Sequence, residues 1–163
     1  MRQKTLIIAY GNRDREDDGA GWHILDKLAQ RLGLETPQFP GDKITTPDGE
    51  LTLLYLFQLL PEMAEDIADF DELVFIDAHN SPSLPNLIFE EVSPDRTHSA
   101  FTHHMNPGEL LAIAQVLEKR LPEAWMLSVR GFSFRFEPSL SSKMTELVDQ
   151  AFSHLQSHLF RAV

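Results

Sequence analysis

Five strand-length apolar runs alternate with helical patterns along this chain of 163 residues, and this alternation limits the folds open to it. Turn residues bound each run, and the apolar spacing in most of the gaps is that of an amphipathic helix. The predicted strands are Thr5–Tyr10, Leu51–Phe57, Leu73–Asp77, Leu87–Val92 and Ala124–Val129. The predicted helices are Ala20–Leu32, Leu59–Phe70, Pro107–Arg120 and Ser141–Arg161.

Strands that alternate with helices predict a mostly parallel sheet, because parallel strands need a crossover connection between them. We therefore expect a three-layer α/β/α architecture with about five strands, in a single domain that spans residues 1–163. The exception is residues 73–92, where the loop AHNSPSLPN is too short for a helix and allows one antiparallel strand at an edge. The polar, proline-rich residues 36–50 are predicted to form a surface loop.

Composition excludes several classes of partner and chemistry. The formal net charge of -11 would repel a phosphate backbone, so we expect no nucleic-acid partner. The absence of cysteine excludes disulfides, thiolate metal sites and thiol nucleophiles. The first residues carry too short an apolar run for a signal peptide, and no segment has the length of a membrane span. These features predict a cytoplasmic protein with no membrane partner.

Acids and histidines follow the ends of three predicted strands or turns. Asp18 lies in an acidic loop after the first strand, Asp77 ends the third strand, and His103 and His104 precede a helix. Ligands of open parallel sheets bind at the carboxyl ends of the strands, where these segments can converge. Two carboxylates and an imidazole would form a set of two oxygens and one nitrogen that suits nickel or zinc.

The same residues also have purely structural interpretations. Asp17 or Asp18 could cap the first helix, although a cap alone does not explain four acids in one loop. Asp77 could accept a hydrogen bond from a loop amide, since a carboxylate at the end of a buried strand needs a partner. One of the two adjacent histidines could cap or pack against the following helix. Spacing alone leaves these alternatives open.

Two further patterns are weaker indications of a site. His154 and His158 lie four residues apart on the last helix, a spacing that can bind one metal ion, but surface or groove histidines are the preferred interpretation. Phe132, Phe134 and Phe136 alternate after the fifth strand, which is typical of an extra edge strand or an exposed apolar lip; burial is the preferred interpretation.

The acidic loop resembles the signature of a known family, the [NiFe]-hydrogenase maturation proteases. Its residues Gly11 to Gly21, GNRDREDDGAG, fit the family pattern G-N-x-x-x-x-D-D/E-G-x-G at every defined position. The segments FIDA, THHMNPGELLAIA and VRGFSFRFEPSLSSKM are similar to the later motifs of the family, so the resemblance runs nearly end to end. The residues between Asn12 and the acid pair, which are usually apolar with a Pro and a Gly, are here Arg13 to Glu16.

The resemblance implies an endopeptidase that removes the C-terminal extension of a hydrogenase large-subunit precursor. It places the metal-contacting residues at Asp18, Asp77 and His103, with the two acids also catalytic. His103 is preferred to His104 because its distance to the following Glu-Leu-Leu matches the family without a gap. The nickel is implied to arrive with the precursor, and no permanently bound cofactor is expected.

The remaining residues of these motifs are assigned to other roles. Asn12, Gly19, His104 and Arg130 are predicted to contact the substrate. Glu16 is expected to stay solvated and Asp17 to cap the first helix.

Two rival functions remain open at this stage. One is a non-catalytic relative that binds a metalloprotein precursor without cutting it. The other is a receiver-like signalling domain, which also uses an acid pair and a strand-terminal Asp, there to hold Mg²⁺. The second rival is disfavoured because the acid pair lies several residues past the first strand and no lysine follows the fifth.

Overall fold

The computed structural model describes residues 3–97, 104–117 and 119–161. The six strands in these ranges are β1 Thr5–Tyr10, β2 Lys43–Thr45, β3 Leu51–Leu56, β4 Glu72–His79, β5 Leu87–Glu91 and β6 Glu123–Arg130. The helices in the same ranges are α1 Ala20–Arg31, α2 Met63–Asp66, α3 Pro107–Val116 and α4 Ser142–Leu159. Single 3₁₀ turns cover Glu16–Gly19 and Ile67–Asp69.

The strands form one sheet in the order β2-β3-β1-β4-β6-β5. β1 pairs in parallel with β3 and β4, and β4 pairs in parallel with β6, which confirms the mostly parallel α/β class. The edge strands β2 and β5 are both antiparallel to their neighbours. Within the described residues the sheet therefore has six strands and two antiparallel edges, where about five strands and at most one antiparallel strand were predicted.

The two edge strands explain this difference. β2 has only three residues, of which none is buried, so the polar segment of residues 36–50 carries no apolar run that would reveal it. β5 follows β4 through a short loop that stays at the carboxyl end of the sheet, so the chain must return antiparallel. It pairs with β6 rather than with β4, because β6 occupies the position next to β4.

Helices cover both faces of the sheet, which gives the predicted three layers. Every residue of β1 is buried, as expected for a central parallel strand with a continuous apolar run. One face packs α1 and α4 around Ile7, Ala9 and Tyr55. The other face packs α2 and α3 around Leu6 and Ile8. None of the described helices is long and apolar enough to cross a bilayer.

α1, α3 and α4 begin within one residue of their predicted starts, whereas α2 begins at Met63, four residues after the predicted start at Leu59. α3 starts with a capping box between Asn106 and Glu109 and has Pro107 in its first turn, where the missing N–H is not needed. It ends at Val116, four residues before the predicted end. The predicted helix at residues 59–70 is reduced to α2 and the following 3₁₀ turn.

The amino end of the sheet is closed by a buried polar contact rather than by a metal site. His158 Nε2 lies 2.6 Å from Glu72 Oε1, and the Thr5 hydroxyl donates to the other oxygen of Glu72. The His158 ring packs edge-on against Phe89 and Trp125. His158 is therefore a packed histidine rather than the surface or groove histidine that was predicted, whereas His154 is exposed.

Candidate functional site

The candidate site is a pocket of about 270 Å³ at the carboxyl ends of the central strands. The connection after β1 leads to the face covered by α1, whereas α2, which follows β3, covers the other face, so a crevice opens where the connections diverge. The residues that line the pocket are Tyr10, Gly11, Arg15, Asp18, Phe57, Gln58, Leu59, Asp77, His104 and Met105. Asp18, Asp77 and His104, three residues selected from the sequence, thus line one pocket.

Asp18 is held in the pocket by the backbone of the loop that carries it. Its Oδ2 accepts a 2.8 Å hydrogen bond from the backbone N–H of Asn12. Gly11 has a φ of 136°, and a Cβ at this position would lie 2.1 Å from the carbonyl oxygen of Asp18. Only glycine allows this approach, so Gly11 brings Asp18 to the carboxyl end of β1.

Asp77 occupies the same crevice from β4. Its Oδ1 accepts a 2.8 Å hydrogen bond from the backbone N–H of Ala78, the next residue of β4, so its partner is a strand amide and not the loop amide of the structural interpretation. Burial raises the pKa of Asp77 well above its usual value, and the charge on Asp18 raises it further, against the opposing effect of the Ala78 N–H. A carboxylate with a raised pKa is a stronger base than an ordinary aspartate.

Tyr10 is the neighbour of Asp77 on the adjacent strand. Ala9 is aligned with Ile76 in the parallel pair, so the next residues, Tyr10 and Asp77, lie side by side. Tyr10 is only 8% exposed. Burial and the charge on Asp77 raise the pKa of Tyr10 well above its usual value. The alternation of Leu6, Ile8 and Tyr10 places Tyr10 on one face of β1, but only the pairing of β1 with β4 makes it a neighbour of Asp77.

His104 reaches the pocket through a contact between two loops. Met105 forms an isolated antiparallel bridge with Leu59, which places His104 beside the segment that follows β3. His104 Nδ1 lies 3.2 Å from Gln58 Oε1, and both residues are exposed. His103, the predicted third metal ligand, lies outside the described residues. Among residues 3–97, 104–117 and 119–161, no group of three or more His, Cys, Asp or Glu side chains is arranged to hold a metal ion.

Asp17 points away from the pocket and binds the segment between β6 and α4. Its carboxylate accepts hydrogen bonds from the backbone N–H groups of Phe132, Ser133 and Ser141 and from the Ser141 hydroxyl, at 2.7 to 3.1 Å. Asp17 is fully buried. The expectation that it caps α1 is wrong, because α1 begins at Ala20 with Gly19 as an N-cap residue that makes no side-chain cap, and Asp17 instead joins two distant segments.

Glu16 is also turned inward, so the expectation that it is solvated is wrong. It is 3% exposed, and its carboxylate contacts the Ser133 hydroxyl, the Arg135 backbone N–H and the Arg135 guanidinium. These hydrogen bonds, with that of Ser133 the strongest, hold the pKa of Glu16 below its usual value. The acids of the loop are therefore crowded because they face different partners: Glu16 and Asp17 bind residues 132–141, and Asp18 faces the pocket.

The two arginines of the loop take up the space given to apolar residues in the family pattern. Arg13 forms a 3.1 Å ion pair with Asp26 of α1 and lies over the Trp22 ring. The Arg15 Nε donates to the carbonyl of Phe134 at 3.0 Å, and the guanidinium lies over Phe136. Each departure from the pattern thus has a partner within the protein.

The other residues predicted to contact the substrate lie close to the pocket but are not among the described residues that line it. Asn12 orders the loop, since its side chain accepts from the backbone N–H of Asp14 at 2.9 Å. Gly19 packs against Arg13, where a Cβ would lie 2.9 Å from the Arg13 Cα. The Arg130 guanidinium lies 5.1 Å from the centre of the Phe132 ring. Their contact with a substrate stays a prediction.

We refer to the exposed apolar side chains of the carboxyl-end loops as the apolar rim, of which Phe57 also lines the pocket. The rim consists of five exposed side chains among the described residues: Phe39, Phe57, Leu60, Leu84 and Phe136. The alternating phenylalanines after β6 form no strand; Phe132 and Phe134 are partly buried, whereas Phe136 is 82% exposed. Burial, the preferred interpretation, therefore fails for Phe136, which belongs to an exposed lip.

Comparison with known proteins gives a result only at the level of structure. No protein-family model matches the chain. No curated protein matches it by sequence.

Several solved structures have the same fold. The hydrogenase maturating endopeptidase HybD from E. coli superimposes with a TM-score of 0.69 at 18% identity, over 96% of this chain and 91% of that one. The [NiFe] hydrogenase maturation protease HycI from Thermococcus kodakarensis KOD1 gives 0.68 at 17% identity, over 97% and 93%. The hydrogenase 2 maturation peptidase from a Thaumarchaeota archaeon gives 0.63 at 16% identity, over 98% and 100%. The chain therefore has the fold of the hydrogenase maturation proteases.

Proposed function

We propose that this protein is an endopeptidase that removes the C-terminal extension of a nickel-loaded [NiFe]-hydrogenase large-subunit precursor. The observation that carries the proposal is the meeting of Asp18 and Asp77, from two separate strand ends, in one pocket at the diverging connections of the sheet. The shared fold and the signature GNRDREDDGAG support the same proposal.

The residues of the pocket have different roles in peptide hydrolysis. Asp77, with its raised pKa, takes a proton from the attacking water as the water oxygen bonds to the scissile carbonyl carbon, and returns it to the departing amine nitrogen. Asp18 would offer a carboxylate oxygen to the metal that the precursor brings, beside one from Asp77. Nickel held there would supply Lewis-acid chemistry for polarising the scissile carbonyl. We propose His103 as the nitrogen ligand of the metal and His104 as a substrate contact at the mouth of the pocket.

The apolar rim supports a polypeptide as the substrate. Apolar side chains exposed together around a pocket are typical of a protein-binding surface rather than of a site for a small polar ligand. Phe57 belongs both to the rim and to the wall of the pocket, so a chain that enters the pocket would pass over it. The net charge of -11 argues against a nucleic-acid or anionic membrane partner, and we propose a cytoplasmic location.

Incubation with the nickel-loaded precursor of a hydrogenase large subunit tests the proposal. Mass spectrometry should show a precursor shortened by its C-terminal extension, and Asp18→Asn or Asp77→Asn should reduce the rate at least about 1000-fold. Asp14→Asn is the matched control. Asp14 is an exposed acid of the same loop, so this variant should cleave the precursor at the rate of the unmodified protein.

Two outcomes would contradict the proposal. A stable complex with the intact precursor would identify a binding protein without peptidase activity. Phosphorylation of Asp77 by a small phosphodonor would instead favour the receiver-like function.

A further inference from the structure

We infer that the Tyr10 hydroxyl donates a hydrogen bond to a backbone carbonyl of the polypeptide bound in the pocket. The inference rests on the proposed function, since it assigns a substrate contact to the same site. Neither the motifs nor the spacing of acids and histidines pointed to Tyr10, and it enters the site only through the pairing of β1 with β4.

The first support is the position of the side chain. Tyr10 lines the pocket, and it packs on the same face of the sheet as Leu6 and Ile8, which fixes the direction of its ring. The residue is 8% exposed, and its hydroxyl, unlike that of Tyr55, is not among the fully enclosed polar atoms without a partner in the described residues. A tyrosine hydroxyl at the wall of a pocket usually finds a hydrogen-bond partner, and a ligand in the pocket can supply it.

The second support is that the pocket otherwise lacks a buried side-chain hydrogen-bond donor. Asp18 and Asp77 are carboxyl groups that serve as acceptors when ionised. The other side-chain donors that line the pocket, on Arg15, Gln58 and His104, belong to exposed residues at its mouth. Among the described residues that line the pocket, Tyr10 is thus the buried side-chain donor. A tyrosine, with an ordinary pKa of about 10, keeps its proton at neutral pH.

A hydrogen bond donated to the peptide carbonyl becomes stronger as the reaction proceeds. The carbonyl oxygen gains negative charge when water adds to the carbon, and a hydrogen bond to a charged oxygen is about twice as strong as one to a neutral oxygen. No proton leaves Tyr10 in this step. The hydroxyl should therefore affect turnover more than binding of the precursor.

Tyr10→Phe removes the hydroxyl and keeps the ring, so the packing with Leu6 and Ile8 is retained. Tyr55→Phe is the matched control, because Tyr55 is a second buried tyrosine of the sheet, but its hydroxyl is enclosed and it packs on the opposite face, away from the residues that line the pocket. We expect Tyr10→Phe to lower kcat about 100-fold and to weaken precursor binding about fivefold. Tyr55→Phe should change neither quantity.

The test separates this inference from the proposed function. If the unmodified protein cuts the precursor and the two Phe variants cut at the same rate, the inference is overturned and the peptidase proposal stands. If it binds the precursor without cutting, the peptidase proposal fails, and weaker binding by Tyr10→Phe than by Tyr55→Phe still supports the contact. Equal binding by both Phe variants in that case, or no binding by the unmodified protein, overturns the inference as well.

Discussion

The carboxyl groups of Asp18 and Asp77 lie close enough for the charge on Asp18 to raise the pKa of Asp77, on top of the larger effect of burial. Two like charges in one crevice disfavour the folded state when both are ionised. The pair is therefore a feature that folding alone does not explain, and it predicts a conflict between stability and activity.

Asp77→Asn should make the protein more stable and less active. Removing the buried charge should raise the free energy of unfolding at pH 7.5 by about 0.5–2 kcal/mol, while cleavage of the precursor is lost. Urea denaturation of the metal-free protein measures the first effect. A variant that is less stable than the unmodified protein at this pH would contradict the prediction.

The same pair predicts the pH dependence of stability. Because the pKa of Asp77 is higher in the folded state than in the unfolded state, the folded protein binds the proton more readily, and the free energy of unfolding should rise as the pH falls through the folded pKa. The Asp77→Asn variant lacks this gain. The amount by which its free energy of unfolding exceeds that of the unmodified protein should therefore shrink as the pH falls from 7.5 to 5.5. An advantage that stays constant over this range would rule out Asp77 as the cause.

Asp17→Ala should strongly destabilise the protein. The substitution leaves the buried N–H groups of residues 132, 133 and 141 without their acceptor, and we expect the free energy of unfolding to fall by about 2–4 kcal/mol. Asp14→Ala, at an exposed position of the same loop, should change it by less than about 0.5 kcal/mol. Equal effects of the two substitutions would show that the loop does not depend on its buried contacts.

Gly11→Ala should disturb the site through the backbone. A Cβ at Gly11 would lie 2.1 Å from the carbonyl oxygen of Asp18, so the loop must shift and carry the carboxylate out of the pocket. Cleavage should fall by at least about 100-fold. Gly33→Ala is the control: it also has a positive φ, but no atom lies within 4 Å of its Cβ, so it should cost about 1–2 kcal/mol of stability and leave cleavage unchanged.

Phe57→Ser tests the role of the apolar rim in binding the precursor. We expect KM to rise about tenfold with little change in kcat, because the side chain is exposed and contributes to binding rather than to the chemistry. Phe160→Ser is matched in exposure, at 53% against 56%, and lies at the end of α4 away from the pocket. The measurement is the kinetics of precursor cleavage with both variants. A similar rise in KM for both would show that the apolar rim is not a specific binding surface for the precursor.

Local sequence determined most of the framework. The apolar runs of β1, β3, β4, β5 and β6 were recognisable because a strand that is buried must be apolar along its length or on one face. The rule that parallel strands present their carboxyl ends at one edge was sufficient to select the acidic loop of GNRDREDDGAG and Asp77, whereas the choice of Asp18 within that loop came from the family resemblance.

Tertiary structure decided what each side chain of that loop faces. Glu16 and Asp17 bind residues 132–141, which are far away in sequence, and no local pattern could distinguish them from the pocket-facing Asp18. Tyr10 joined the site only because β4 pairs beside β1 in one register. Periodicity reports how a segment buries its own face, whereas partners across the sheet and between loops depend on how separate segments pack together.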